Sequence, residues 1–269
     1  MNILVNYLYE LYPFTTASYY EMAIKKSSSH FCFRNTKYNP DKIDLVLNIE
    51  PVADIIKIPG VPSVYYEIDN HVIMGNDHHW YEQVDMVLLA QKYFKDYYYR
   101  YKTEYLPLAC WPDVHKRYKE EKQIYDIGFL GNDTYPHRRQ LLETLKQNFK
   151  VLWDTSKPGE LYSRKLNQCK MLFNCHMNHD VNMRFFEAIS SGRLLLTDYL
   201  IEQDEFAESG KHYSAFYGAD DLVQKVKYYL KHTKKREYIA YKGMKHVQKY
   251  SSYQNRLEQL LCIIKHLGS

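Results

Sequence analysis

Residues 125–148 read YDIGFLGNDTYPHRRQLLETLKQN. The apolar run Tyr125–Leu130 predicts a strand, Gly131-Asn132-Asp133-Thr134 predicts a turn, and a helix follows from about His137 to Asn148. A strand that ends at a glycine and passes through a short polar loop into a helix presents backbone N–H groups able to bind an anion.

The same alternation extends outward in both directions. Downstream, strands are predicted at Lys150–Trp153, Lys170–Cys175 and Arg193–Thr197. Helices are predicted at Leu161–Gln168, at Arg184–Ser191 (closed by Gly192) and at Asp221–Lys231, and a helical tail runs from Lys235 to Leu267 with a break near Tyr250–Tyr253. Upstream, strands are predicted at Asn2–Leu8, His30–Arg34, Ile43–Ile49, Ser63–Ile68, Val84–Ala90 and Tyr105–Ala109, with helices at Ala17–Lys26 and Gln91–Arg100. Short Val/Ile/Leu-rich strands separated by helices predict α/β architecture with parallel sheets covered on both faces. The charged stretch 112–124 reads as a linker, so two domains are expected, 1–115 and 120–269. The C-terminal helix is placed either with the second domain or packed back on the first. Two such domains leave a cleft, and ligands in open parallel sheets sit at the carboxyl ends of strands.

Composition narrows the classes. The 269 residues are 45% hydrophobic and 25% charged, which excludes a disordered chain. No apolar run reaches the ~18 residues of a membrane span, and MNILVNYLYELYPF has no basic region or cleavage site of a secretory signal. Five cysteines without a CxxC pair suit reduced thiols and a cytoplasmic location. Cys175-His176 and His179 lack a second ligand pair, so no metal site is expected. The net charge of +4, from 36 basic and 32 acidic residues, is too small to imply a nucleic-acid partner. Residues 224–249 nevertheless hold nine Lys/Arg and one acid. That stretch is either a solvated helical face or a contact for an anionic surface. The 28 tyrosines read chiefly as compositional bias, with stacking on bases or sugars as the alternative.

Several residues carry candidate chemistry. Gly131 and Asn132 with Arg138 or Arg139 form either an anion site or a plain turn with solvated arginines. Arg184, Glu187 and Ser191 share a helix face, giving either an intrahelical ion pair or a ribose-and-phosphate site. Trp153 either stacks on a base or ends a core strand. Asp69 and His71, after the strand SVYYEI, are the best-placed bases for an acceptor hydroxyl, in a loop shared with Glu67 and Asn70. His78 and His79 read as loop histidines, and His115 reads as a hinge residue. Asp220-Asp221 reads as a helix start, not as a metal-binding acidic pair.

Four stretches in order resemble the CgeB-like (spore maturation protein type) glycosyltransferases: YLPLACWPDVH (Tyr105–His115), YDIGFLGNDTYPHRRQLLETL (Tyr125–Leu145), NMRFFEAISSGRLLLTD (Asn182–Asp198) and GKHYSAFYGADDLVQKVKYYL (Gly210–Leu230). The resemblance implies a GT-B-like fold of two Rossmann-like domains facing across a cleft. It implies a nucleotide-sugar donor, no cofactor and no metal, and a retaining outcome. It gives Glu187 the donor ribose. A second glutamate expected eight positions earlier is replaced by His179, and Asp180 is a nearby carboxylate able to substitute. The donor-binding set so implied is Gly131, Asn132, Arg138, Arg139, Trp153, His179, Asp180, Asn182, Arg184 and Glu187. The acceptor is open between glycan, protein and modified nucleic acid. The alternative functions are a non-catalytic nucleotide- or glycan-binding module and a glycosyltransferase acting on modified DNA bases.

Overall fold

The computed structural model describes residues 1–9, 15–73, 79–155 and 158–267. His78 and residues 156–157 of the Trp153–Gly159 loop lie outside them. The chain divides into two compact units, Met1–Leu108 with Tyr253–Ser269, and Ala109–Ser252.

The first unit holds strands β1 (Asn2–Asn6), β2 (Phe31–Arg34), β3 (Leu45–Ile49), β4 (Ser63–Glu67), β5 (Met86–Leu89) and β6 (Thr103–Tyr105). They form one parallel sheet in the order β2-β1-β3-β4-β5-β6. Helix α1 (Thr16–Lys26) starts at a reciprocal cap, with Thr15 N–H donating to Ser18 Oγ at 2.8 Å. A short helix α2 (Asn70–Ile73) follows β4. Tyrosine fills much of this unit. Tyr19 and Tyr20 pack on Tyr253 at ring distances of 5.3 and 5.4 Å, and Tyr66 lies 6.0 Å from Tyr20. Two of these hydroxyls find partners: Tyr66 donates to the Leu106 carbonyl at 2.6 Å, and Tyr253 lies 3.2 Å from Thr16 Oγ1.

The second unit holds β7 (Tyr125–Leu130), α3 (Pro136–Asn148), β8 (Val151–Asp154), α4 (Glu160–Asn167), β9 (Cys169–Asn174), α5 (Met183–Ser190), β10 (Leu194–Asp198), β11 (Ser214–Phe216), α6 (Gly218–Lys231) and α7 (Thr233–Tyr250). Its parallel sheet runs β11-β10-β9-β7-β8. Helix α5 closes at Gly192, whose φ of +73° only glycine adopts without strain. The last helix, α8 (Tyr253–Lys265), belongs to the first unit.

Two expectations are corrected. The charged stretch 112–124 is not a free linker but part of the second unit. Cys110 N–H donates to the Ser251 carbonyl at 3.0 Å, which moves the boundary from residue 115 to Leu108. The strand expected at Tyr105–Ala109 ends at Tyr105, because Pro107 cannot donate to a ladder. The helix expected over Gln91–Arg100 is present as a 3₁₀ helix over Lys92–Tyr98.

Candidate functional site

In the second sheet the chain runs from β7 to β8 on one side, then returns with β9 on the other. The strand order therefore reverses between β7 and β9, where doubly wound sheets open a crevice at their carboxyl ends. Gly131 follows β7 and Cys175 follows β9, and two arginines span the gap.

Arg138, on the first turn of α3, donates from Nε and Nη2 to the Cys175 carbonyl at 3.0 and 2.7 Å, and from Nη1 to the Asn132 carbonyl at 2.8 Å. It is buried, and burial followed by the nearby Arg184 charge lowers its pKa. Arg138 thus ties the Gly131 loop to the end of β9, and its N–H groups are largely committed to backbone. Its neighbour Arg139 is exposed, as adjacent helix positions point about 100° apart.

Arg184, on α5, donates from Nε to the Leu130 carbonyl at 2.9 Å and from Nη1 to Asn174 Oδ1 at 3.1 Å, and its guanidinium lies 4.7 Å from the Phe129 ring centre. It occupies the space that a β-carbon on Gly131 would fill, and Gly131 holds φ at +152°. Asn182 sits at the N-cap of α5 with an extended backbone and no side-chain cap. Its amide oxygen and nitrogen are both buried without a hydrogen-bond partner among the described residues.

One turn beyond Arg184, buried Glu187 turns inward. Its Oε1 lies 3.2 Å from His115 Nε2. His115 Nδ1 accepts the Trp111 N–H at 3.0 Å, which leaves Nε2 as the ring nitrogen that faces Glu187. Burial pushes the Glu187 carboxyl up, but His115, the Tyr162 hydroxyl and Arg184 together hold it below the usual carboxylate range. His115 is therefore no hinge. It is fully buried, and its carbonyl accepts Ser190 Oγ.

Asn174 continues the network. Its Nδ2 lies 3.1 Å from His176 Nε2, and His176 Nδ1 lies 2.7 Å from Asp198 Oδ1. The chain Arg184–Asn174–His176–Asp198 thus links the carboxyl ends of β9 and β10. Burial raises the Asp198 pKa, but the His176 hydrogen bond and charge outweigh it and lower the net value.

The remaining expected donor residues differ in their settings. Asn132 is exposed, its Oδ1 accepting the Thr134 N–H at 2.8 Å. Trp153 packs half-buried against the core, with Lys146 Nζ 5.9 Å from its ring, as a core strand end does. His179 adopts φ +57° beside Asn178 at +47°, and its Nδ1 faces Glu202 at 3.2 Å. Asp180 is buried.

In the first unit, Asp69 is exposed and its N–H donates to Glu50 Oε2 at 3.0 Å, while His71 is buried. Between them in importance stands Glu67, fully buried, with its Oε2 accepting the Tyr81 hydroxyl at 2.8 Å. Burial, then the Glu50 charge, pushes its pKa up to about 9, so it holds a proton at neutral pH. Among the described residues no group of three or more His, Cys, Asp or Glu is placed to hold a metal ion.

Comparison with known proteins adds three findings. Residues 115–262 match the family described as glycosyl transferase-like. The uncharacterised protein L138 of Acanthamoeba polyphaga mimivirus is 26% identical over 207 residues, covering 72% of this chain and 20% of L138, so the chain spans about one fifth of that curated relative. Among solved structures, Anabaena HepE in complex with UDP-glucose superposes with a TM-score of 0.66 at 10% identity, covering 99% of this chain and 100% of HepE. The DNA modifying enzyme β-glucosyltransferase gives 0.64 at 12% identity, covering 100% of both chains. TarM gives 0.59 at 10% identity, covering 81% of this chain and 54% of TarM. At such identities the likeness shows the fold, which is α/β and GT-B-like.

Proposed function

The chain belongs to the glycosyl transferase-like family, and we propose that it transfers a sugar from a nucleotide-sugar donor to a hydroxyl acceptor, with the donor held in the second unit. The observation that carries this reading is Arg184 laid over Gly131 at the β7/β9 crevice, with Glu187 one turn further along the same helix. As the glycosidic bond breaks, negative charge grows on the departing diphosphate. A guanidinium and helix N-terminal N–H groups already aimed at that position stabilise it. Glu187, kept ionised, has acceptor capacity beyond His115 and Tyr162 for the donor ribose hydroxyls.

The finer parts of the reading are these. Transfer proceeds without a metal, because Arg184 and the start of α5 supply the charge. Retention is favoured, with Asp180 standing in for the missing glutamate at His179. Asp69 serves as the acceptor-side base. Buried His71 fits a positioning role better. The narrower CgeB-like assignment is supported by three of its four stretches falling inside the matched span. Five free cysteines suit a reducing, cytoplasmic setting. The acceptor or its carrier is anionic in this reading. Lys234, Lys235, Lys242, Lys245 and Lys249 share the outer side of α7 with exposed Tyr238, Tyr241 and Tyr250.

A thermal-shift screen against nucleoside diphosphates and nucleotide sugars, followed by turnover with and without EDTA, tests the proposal. Saturable stabilisation and EDTA-resistant sugar release are expected. Binding without turnover under any acceptor indicates a non-catalytic binding module, and restoration of activity only by magnesium or manganese overturns the metal-free reading.

A further inference from the structure

Helix α7 has one side that the packing of the second unit does not use. Its inward positions Ile239, Ala240, Gly243 and Val247 are buried, and Arg236 is buried with them. At about 100° per residue, Lys234, Lys235, Lys242, Lys245 and Lys249 fall with Tyr238 and Tyr241 within an arc of about 120° on the opposite side. All seven are exposed, Tyr238 by 60% and Tyr241 by 50%.

Two features set these charges apart. Lysines elsewhere pair with carboxylates: Lys57 with Asp85, Lys170 with Asp126 and Lys225 with Asp221, at 2.7–2.9 Å. None of the five on α7 makes an ion pair among the described residues, since the one acid of the helix, Glu237, binds Arg117 at 2.6 Å. Helix stability does not explain them either. Lys234 and Lys235 stand in the first turn, where the helix dipole disfavours cations, and only Lys249 stands in the last turn, where it favours them. Lys242 and Lys245 repel at i,i+3 spacing, and Lys245 and Lys249 repel at i,i+4. An anion spread along the helix relieves both effects.

The tyrosines give that anion a second property. Lys242 Nζ lies 5.8 Å from the Tyr238 ring centre, Lys245 Nζ 5.9 Å from that of Tyr241, and Lys249 Nζ 4.7 Å from that of exposed Tyr250. Each exposed ring thus stands beside an ammonium. A pyranose ring presents an apolar C–H face that packs on an aromatic ring, and an acid group at its rim pairs with an ammonium. The repeat of ring and cation along α7 therefore fits a chain of acidic sugars. A bilayer fits it less well, because the arc exposes no Leu, Ile, Phe or Trp to enter the acyl boundary. Duplex nucleic acid also fits it less well, because the arc carries no arginine to fork onto phosphates or bases.

We propose that the outer side of α7 is a docking surface for an acidic polysaccharide, the acceptor or its carrier. The proposal rests on the reading of that acceptor or carrier as anionic, and narrows it to a glycan.

The test is affinity electrophoresis of the whole chain through gels holding polygalacturonate, with dextran as the neutral control, in about 0.05 M and about 0.3 M salt. Duplex DNA and vesicles of phosphatidylcholine and phosphatidylglycerol are the competitors. Retardation by polygalacturonate but not by dextran is expected, and it should weaken at the higher salt. The triple variant Lys242→Gln, Lys245→Gln, Lys249→Gln should need about tenfold more polymer. Tyr238→Ala with Tyr241→Ala keeps the charge and should need about fivefold more. All five positions are exposed, so these variants keep the fold. An unchanged tyrosine variant would show ion exchange only and overturn the glycan assignment. Equal retardation by dextran, or an unchanged lysine variant, would overturn the proposal. Tighter binding to DNA or to vesicles than to polygalacturonate would leave the anionic reading standing and overturn the glycan, and binding to none of the three would overturn both.

Discussion

The Arg184 guanidinium lies against Gly131 in the volume that any side chain at that position would need. Glycine is therefore required there twice over, by its φ of +152° and by the arginine packed on it. Gly131→Ala must displace Arg184 from the Leu130 carbonyl and Asn174. The expected loss is about 1–3 kcal/mol in chemical denaturation, the usual range for overpacking. Nucleoside-diphosphate affinity measured by calorimetry should fall in the same variant. Unchanged affinity would separate Gly131 from the donor site.

Glu187 combines a structural and a binding role, and the two can be measured apart. Glu187→Ala leaves His115 and the Tyr162 hydroxyl without the carboxylate they share, at about 1–3 kcal/mol of stability. It should also weaken nucleotide binding by about 1.5–3 kcal/mol, the worth of hydrogen bonds to a charged group. Because its folded pKa is depressed, Glu187 contributes stability above its unfolded pKa and loses it as pH falls through the folded value. Glu187→Gln should therefore flatten the acid limb of the stability curve.

Glu67 has the opposite sign. Its pKa is raised to about 9, so the folded chain holds a proton that the unfolded chain has released. Its contribution is fully present below the unfolded pKa and is lost as pH rises toward about 9. Urea midpoints at about pH 6 and about pH 9 should show wild type losing stability, by at most about 1.4 kcal/mol per pH unit. Glu67→Gln keeps the Tyr81 hydrogen bond without the charge and should show a shallower decline. An equal slope in both proteins would contradict the assignment.

Arg138 and Arg139 are adjacent in sequence and differ in burial. Arg139→Ala should alter stability by no more than about 0.5 kcal/mol, as exposed substitutions do. Arg138→Met removes donors from the Cys175 and Asn132 carbonyls and leaves them unsatisfied, which should cost about 1–3 kcal/mol. Equal midpoints for the two variants would show that the tie between the Gly131 loop and β9 is energetically idle.

Much of this organisation is written locally. The apolar run of β7, the glycine after it and the helix that follows are visible in two dozen residues, because strand, turn and helix each follow from nearest neighbours. Gly192 as a helix stop is equally local. The pairings His115–Glu187 and His176–Asp198 are not. Each joins residues on separate elements, and the second depends on β10 lying beside β9, which strand order alone decides. Tyr162 gave no signal at all, being one tyrosine among 28. The three-residue strand β11 was too short for any period to register. Arg138 could be narrowed to one of two arginines by helix geometry, but its commitment to backbone carbonyls needed the loop after β9 in place.

The most direct test of the central claim is a crystal structure with a bound nucleoside diphosphate. The account predicts the diphosphate at the β7/β9 crevice, with its oxygens on the N–H groups that open α5 and on the Arg184 guanidinium, and the ribose hydroxyls on Glu187. Phosphates lying more than about 6 Å from Arg184, too far for one bridging water, would contradict it.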